Sequence, residues 1–347
     1  MSDTLRFPWD HPPEFFQPIE VAEGILWIRL PLPMVLDHVN VFALDEGDSW
    51  CLVDTGLFTK RSVAQWEQLL AGPLSGKPVG RVIITHHHPD HIGMAGWFQA
   101  HGAELVATRT AWLLGRMLVL DEQHSWPEES QRFYRRSGMP PKIFEQRASE
   151  RPFNFSDMVH PMPLGFTRIS DGDTLNAGGR NWTVRVGHGH APEHATLWSD
   201  DGALVIGGDQ LLATISPNLG VYPTEPEADP VGEWLDSCAR FAEIARPDQL
   251  ILPGHKLPFR GLPVRLEQLS ENHHGALARM LEILDKPRTA HECFSALFKR
   301  EITASEYGLA LVEAIAHVNH LYLSGQVRRD LNEMGAYEYT RIETSNV

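Results

Sequence analysis

The sequence has little cysteine, a deficit of positive charge and no long apolar run. Only three cysteines occur in 347 residues, Cys51, Cys238 and Cys293. They are far apart and form no CxxC pair, which argues against a disulfide framework and fits a reducing compartment. Thirty lysines and arginines stand against 45 aspartates and glutamates, a formal charge of -15. That balance is a poor footprint for gripping a nucleic-acid backbone or an anionic membrane. The apolar stretch at 24–36 is interrupted by Arg29, Pro31 and Pro33, well short of the ~20 residues a membrane span needs. The opening MSDTLRFPWDHPP lacks the apolar segment of a secretory signal, so a cytoplasmic location is expected.

What is present suits a large globular protein. At about 150 residues per domain the length predicts two domains, or one with an appendage, and 42% hydrophobic residues can fill a core. Short β-rich runs, GILWIRL, NVFAL and SWCLVDTG, occupy residues 20–56. A helical stretch follows at 59–70, then a strand at 81–85 and a second helical pattern at 92–101. Strand signals return at 182–186, 195–199 and 203–208, and Asp229 with Pro230 opens an amphipathic helix over 230–245. Strands and helices alternating in this way predict a mixed α/β domain over residues 1–262. Between about 110 and 163 the strand rhythm stops, and aromatics such as Trp112, Trp126, Phe133 and Tyr134 appear among prolines and arginines, which predicts a helical insertion. Residues 263–347 read as a small, mainly helical C-terminal domain. Thr289 with Glu292, and Thr303 with Glu306, form T-x-x-E capping boxes, Gly325 is a helix stop, and 327–342 suit a hairpin. Helices followed by a hairpin outline a winged helix, but nine basic against twelve acidic residues there argue against DNA reading.

Directly after the strand at 81–85 comes Thr85-His86-His87-His88-Pro89-Asp90-His91-Ile92-Gly93. So many imidazoles with a carboxylate at the end of an apolar strand would be costly to bury without a partner, and a divalent metal is that partner. On an extended loop His86 and His88 point the same way and can chelate one ion. Asp90 and His91 turn onto the next helix and face a second, while His87 points away. Three more segments repeat the design of a ligand at a strand end: GHGHAPEH with His190 and His194, VIGGD with Asp209, and LPGH with His255.

Through THHHPDHIG, GHAPEH, GGDQLL, PGH and the earlier LVDTG, residues 20–260 resemble the metallo-β-lactamase fold superfamily. The resemblance implies a four-layer αβ/βα sandwich with two divalent ions at one edge, zinc first, with iron or manganese as alternatives. Carried over by position, His86, His88 and His190 hold one ion, Asp90, His91 and His255 the other, and Asp209 bridges them. Asp54 resembles an outer acid that orients the site, and His194 an outer rather than a direct ligand.

The expected chemistry is hydrolysis by a metal-bridging hydroxide, which Asp90 orients. His88, where relatives that use oxygen or nitric oxide commonly carry Glu, favours a hydrolase. Leu212, where related lactonases tend to carry Tyr, counts against a lactone. Asp209 and the lack of an export signal count against an antibiotic-cleaving β-lactamase. The favoured substrate is a small-molecule carboxylic thioester or ester, as in the hydroxyacylglutathione hydrolase group, with Arg132, Arg135, Arg136 and Lys142 of the insertion as candidates to hold its anionic end. A phosphodiesterase or nuclease is the alternative, and a non-hydrolytic metal-containing sensor the reading from another class. A homodimer is the base-rate expectation.

Overall fold

The computed structural model describes residues 4–343. They form two compact units, one of residues up to 122, 153–217 and 242–266, the other of 123–152, 218–241 and 267 onward.

The first unit holds two sheets. The seven-stranded sheet runs in chain order from β1 (Ile19–Ala22), β2 (Ile25–Pro31), β3 (His38–Asp45) and β4 (Trp50–Val53) to β5 (Val79–Ile83), β6 (Glu104–Thr108) and β7 (Thr167–Ile169). Its first four strands are antiparallel, and β4 through β7 are parallel. The second sheet has β8 (Thr174–Ala177), β9 (Arg180–Gly187), β10 (His194–Ser199), β11 (Leu204–Gly208) and β12 (Leu250–Pro253), antiparallel except for the last, parallel pair. Period-two alternation explains the layering. On β3, Phe42 and Leu44 join Trp27, Trp182, Val184, Leu197 and Ile206 in a core with side chains from both sheets. Val39, Val41 and Ala43 join a second cluster with Trp66, Leu69 and Phe98. Those last residues belong to α1 (Lys60–Ala71) and, after α2 (Pro89–Ile92), to α3 (Ala95–Ala100). Mixed sheets flanked by helices are thus what the strand and helix rhythm predicted.

The helical pattern predicted over 92–101 is two pieces. Its break falls at Gly93–Met94, where the Met94 N–H leaves the helix to donate to Gly56 O (3.1 Å) and Thr55 Oγ1 (3.0 Å). Strands β6, β7 and β8 were not predicted. The insertion comprises α4 (Arg109–Leu120), α5 (Glu128–Arg136), α6 (Pro141–Ser149) and a 3-10 turn at Phe155–Asp157; its middle, residues 123–152, belongs to the second unit.

That unit also contains α7 (Pro230–Ala242), three residues shorter than the predicted helix, most of α8 (Leu262–Ile283), then α9 (Phe294–Leu297) and α10 (Tyr307–Leu323). The hairpin is β13 (Val327–Leu331) with β14 (Tyr337–Arg341). Thr289 and Glu292 make their reciprocal box, Glu292 Oε2 accepting from Thr289 N at 2.8 Å. Glu306 accepts from the Thr303 N–H and hydroxyl just before α10. Among the described residues, no helix is long and apolar enough to cross a membrane.

Candidate metal centre

Because β4 pairs parallel with β5, and β11 with β12, the loops leaving these strands emerge at their carboxyl ends. Asp54 follows β4, His86 to His91 follow β5, Asp209 follows β11 and His255 follows β12. His190 lies in the loop between β9 and β10, and His194 opens β10. The structure brings all of these side chains together.

Asp54 organises one side. Its carboxylate accepts from Thr85 N (2.9 Å) and from the Thr85 hydroxyl (2.8 Å), and pairs with His91 Nδ1 (2.8 Å). With its hydrogen given to Asp54, the Thr85 oxygen is the acceptor for His86 Nδ1 (3.0 Å). Both rings are therefore held by Nδ1 and present Nε2. His255 follows the same rule, donating Nδ1–H to His38 O (2.8 Å). Such outer contacts fix tautomer and ring direction.

The presented atoms converge. His86 Nε2 lies 3.0 Å from His88 Nδ1. Asp209 lies 3.4 Å from His91 Nε2, 3.5 Å from His190 Nε2 and 3.3 Å from His255 Nε2. Asp90 Oδ2 lies 3.3 Å from His255 Nε2 and 3.7 Å from His91 Nε2. Three overlapping groups can each hold an ion: His86, His88 and His190; His86, His91 and Asp209; Asp90, His91 and His255. His194 stands differently. Its ring stacks on His86 at 4.5 Å, and its Nε2 accepts the Asp209 N–H at 3.1 Å, so it steers Asp209 rather than joining a group. His87 is also outside the groups, stacked on Phe155 at 6.1 Å.

The charges divide by side. Burial and neighbouring imidazoles hold His86 and His88 well below the ordinary histidine range, and burial pushes His194 and His87 down to about 3. Burial also opposes charge on His91 and His255, but carboxylates outweigh it. Asp209, Asp90 and Asp54 hold His91 well above its usual value, and Asp209 and Asp90 push His255 up to about 10. Burial likewise opposes charge on Asp209, yet His255 and His91 hold it well below the carboxylate range.

A divalent cation fits this donor set. His91 Nε2 and Asp209 Oδ1 are buried and have no hydrogen-bond partner among the described residues, a cost that a shared cation would remove. The loop is shaped for them too, since a Cβ on Gly254 would stand 2.2 Å from Asp209 Oδ1.

The four insertion cations lie in the second unit. Arg132 and Arg135 are exposed and Arg136 half-buried on α5, and Lys142 is exposed on α6. Arg135 covers the Phe144 ring at 4.4 Å and Arg136 the Tyr337 ring at 5.1 Å. Sequence reasoning gave no role to Thr85 or to the His38 carbonyl. Thr85 stood beside the motif and was legible as its neighbour; a backbone carbonyl carries no residue signal.

A cage of imidazoles and carboxylates at the strand ends of two packed sheets defines a metal-binding hydrolase architecture. Residues 34–255 match the metallo-beta-lactamase superfamily, and residues 277–342 match the metallo-beta-lactamase-like C-terminal domain. The chain belongs to the metallo-beta-lactamase superfamily and carries that C-terminal domain. It is 25% identical over 310 residues to the "Probable metallo-hydrolase YqjP" of Bacillus subtilis (strain 168), spanning 86% of this chain and 92% of that protein. A beta-lactamase domain protein from Burkholderia ambifaria shares its fold with a TM-score of 0.88 and 35% identity, over 97% of this chain and 98% of that one. The metallo-beta-lactamase family protein TTHA1429 from Thermus thermophilus gives a TM-score of 0.78 and 29% identity, over 93% and 100%.

Proposed function

We propose that this metallo-hydrolase cleaves a small-molecule carboxylic thioester or ester at a centre of two divalent ions, in the manner of the hydroxyacylglutathione hydrolase group. The observation that carries the two-ion reading is the overlap of the three ligand groups, in which His86 and His91 each serve twice and Asp209 stands between the His190 and His255 sides. His86, His88 and His190 would hold one ion, Asp90, His91 and His255 the other, with Asp209 shared. Nitrogen and carboxylate donors suit zinc, with iron or manganese as alternatives. When bound, such a pair supplies Lewis acidity and a hydroxide nucleophile near neutral pH.

The chain's own residues do the positioning. Asp54 with Thr85, and the His38 carbonyl, fix the ring directions of His86, His91 and His255. His194 sets Asp209 through its backbone N–H. Asp90 is the least buried of the three carboxylates, its side chain 21% exposed against 9% for Asp209 and 3% for Asp54. It is therefore the one placed to meet incoming water and orient it. Burial pushes the Cys51 and Cys293 thiols up to about 12, which disfavours a thiolate route. The acidic balance of the chain supports a small acyl substrate over a polynucleotide. Residues 263–347 would form a winged-helix-like appendage to a catalytic domain of residues 1–262, in a cytoplasmic, homodimeric enzyme.

The test pairs metal analysis with a panel of acyl-CoA, glutathione thioester, lactone and bis-p-nitrophenyl phosphate substrates. Two equivalents of metal with thioester or ester turnover are expected. Cleavage of the phosphodiester alone would replace the substrate assignment with the nuclease reading. No turnover with one equivalent or less would point to a sensor.

A further inference from the structure

We infer that Asn40 is the positioning residue that sets His255, and with it the ion held by Asp90, His91 and His255, an inference that rests on the two-ion reading above. Asn40 lies on β3, facing the core between the sheets, and is 1% exposed. An amide there is costly unless every polar group is paired, and this one is fully engaged. Its backbone N–H donates to Gly254 O at 2.7 Å. Its Nδ2 donates to Pro253 O at 2.9 Å and to Lys256 O at 2.8 Å. Its Oδ1 accepts from Trp27 Nε1 at 2.8 Å.

Three of the four bonds thus fall on residues 253, 254 and 256, bracketing His255 on both sides. The loop needs that grip. Lys256 has φ 66, a left-handed conformation that is strained for a non-glycine residue and persists only where the surroundings impose it. Its carbonyl is one of the two that Nδ2 holds. Two residues before Asn40 on the same strand, the His38 carbonyl takes His255 Nδ1–H. β3 therefore fixes the ligand twice, by its ring through His38 and by its backbone through Asn40.

The residue type is dictated. Two carbonyls require two donors on one nitrogen, and the Trp27 indole requires an acceptor beside it; only a primary amide offers both. Aspartate would set a carboxylate against two carbonyl oxygens, and glutamine would force an extra methylene into a packed core. Trp27 acts through Asn40, because its N–H selects which way the amide faces.

The test is a cobalt(II) titration of metal-stripped protein, following the visible ligand-field bands and chelator competition, with thermal unfolding of the metal-free form as the fold control. In Asn40→Asp, one of the two cobalt equivalents is expected to weaken by about 10–100-fold with its bands altered, as for other second contacts to ligands, while the other equivalent keeps its affinity and spectrum. Trp27→Phe should shift the same equivalent in the same direction, by less. Unchanged binding in Asn40→Asp, or equal weakening of both equivalents, overturns the assignment. If Asn40→Asp does not fold, Trp27→Phe decides, and an unaltered second equivalent there is equally fatal. Wild-type protein taking up only one equivalent sinks the two-ion reading instead.

Discussion

Asp54 has φ 63, and Glu193 and Lys256, next to His194 and His255, have φ 50 and 66. Left-handed backbone at non-glycine residues costs energy and gathers where the surroundings over-determine it. At Asp54 the compensation is visible, since its carboxylate is paired with Thr85 and with His91. In the proposed mechanism Asp90, by contrast, handles water, so Asp90→Ala should lower turnover by orders of magnitude, about 100-fold or more. Steady-state kinetics at matched metal content checks this, and full activity would remove Asp90 from the reaction. The protonation pattern gives a second expectation. His91 is held well above its usual value and His255 at about 10 by Asp209 and Asp90, so both carry protons at neutral pH in the metal-free form and, on the proposed two-ion reading, must release them to become ligands. Apparent metal affinity should rise with pH through neutrality, with proton release measurable by calorimetry in buffers of different ionisation enthalpy; pH-independent binding would contradict it. Sequence spacing was informative for His86, His88, Asp90 and His91 because they lie on one short loop. Asn40, Thr85 and the His38 carbonyl act across space, and no spacing announces them.

At the scale of elements, α2 and α3 are separated where the Met94 N–H turns aside to Gly56 O and Thr55 Oγ1. Gly93 has φ -53 and ψ -42, ordinary helical values that alanine adopts more readily than glycine by about 1 kcal/mol. A Cβ there would nonetheless stand 2.4 Å from Gly56 O and 2.8 Å from the Leu57 Cα, backbone atoms that cannot yield cheaply. Gly93→Ala should therefore destabilise the protein by about 1–3 kcal/mol, read from urea unfolding; a gain in stability would show that the contact relaxes freely. Apolar periodicity across 92–101 hid this break, because the pattern reports which face is buried and not whether the chain steps aside to pair with Thr55. β6 went unread for a related reason. Its ELVAT pairs on both sides with parallel neighbours and is buried along most of its length, and a strand covered on both faces loses the polar alternation that reveals half-buried ones.

For the whole molecule, a buried histidine pair of the second unit adds to the acid sensitivity that the depressed histidines of the metal site already give the metal-free protein. His273 and His317 are 2% and 0% exposed, and His273 Nδ1 lies 3.2 Å from His317 Nε2. Burial pushes their pKa values down to about 3 and about 4, from ~6.5 in an unfolded chain. Above pH 6.5 both states are neutral and the pair contributes no pH dependence. Below it the unfolded state binds protons that the folded state refuses, so stability falls as pH drops from about 6.5 towards 4, and further towards 3 for His273. Calorimetry of metal-free protein between pH 7 and 5 should show this decline, and His273→Leu should make it shallower by the share of one buried histidine; an unchanged slope in the variant would remove His273 as a contributor.

The sequence by itself determined the candidate metal-binding loop and the sheet-and-helix class, because clustered donors on one loop and alternating apolar residues are local facts. Which strands are parallel, and hence that Asp54, Asp209 and His255 arrive at the same edge as that loop, was decided only by tertiary pairing. The same holds for the orientation of each ring. A tautomer is selected by whatever polar atom packs against Nδ1, and for His91 and His255 those atoms come from residues 37 and 217 positions away in the chain.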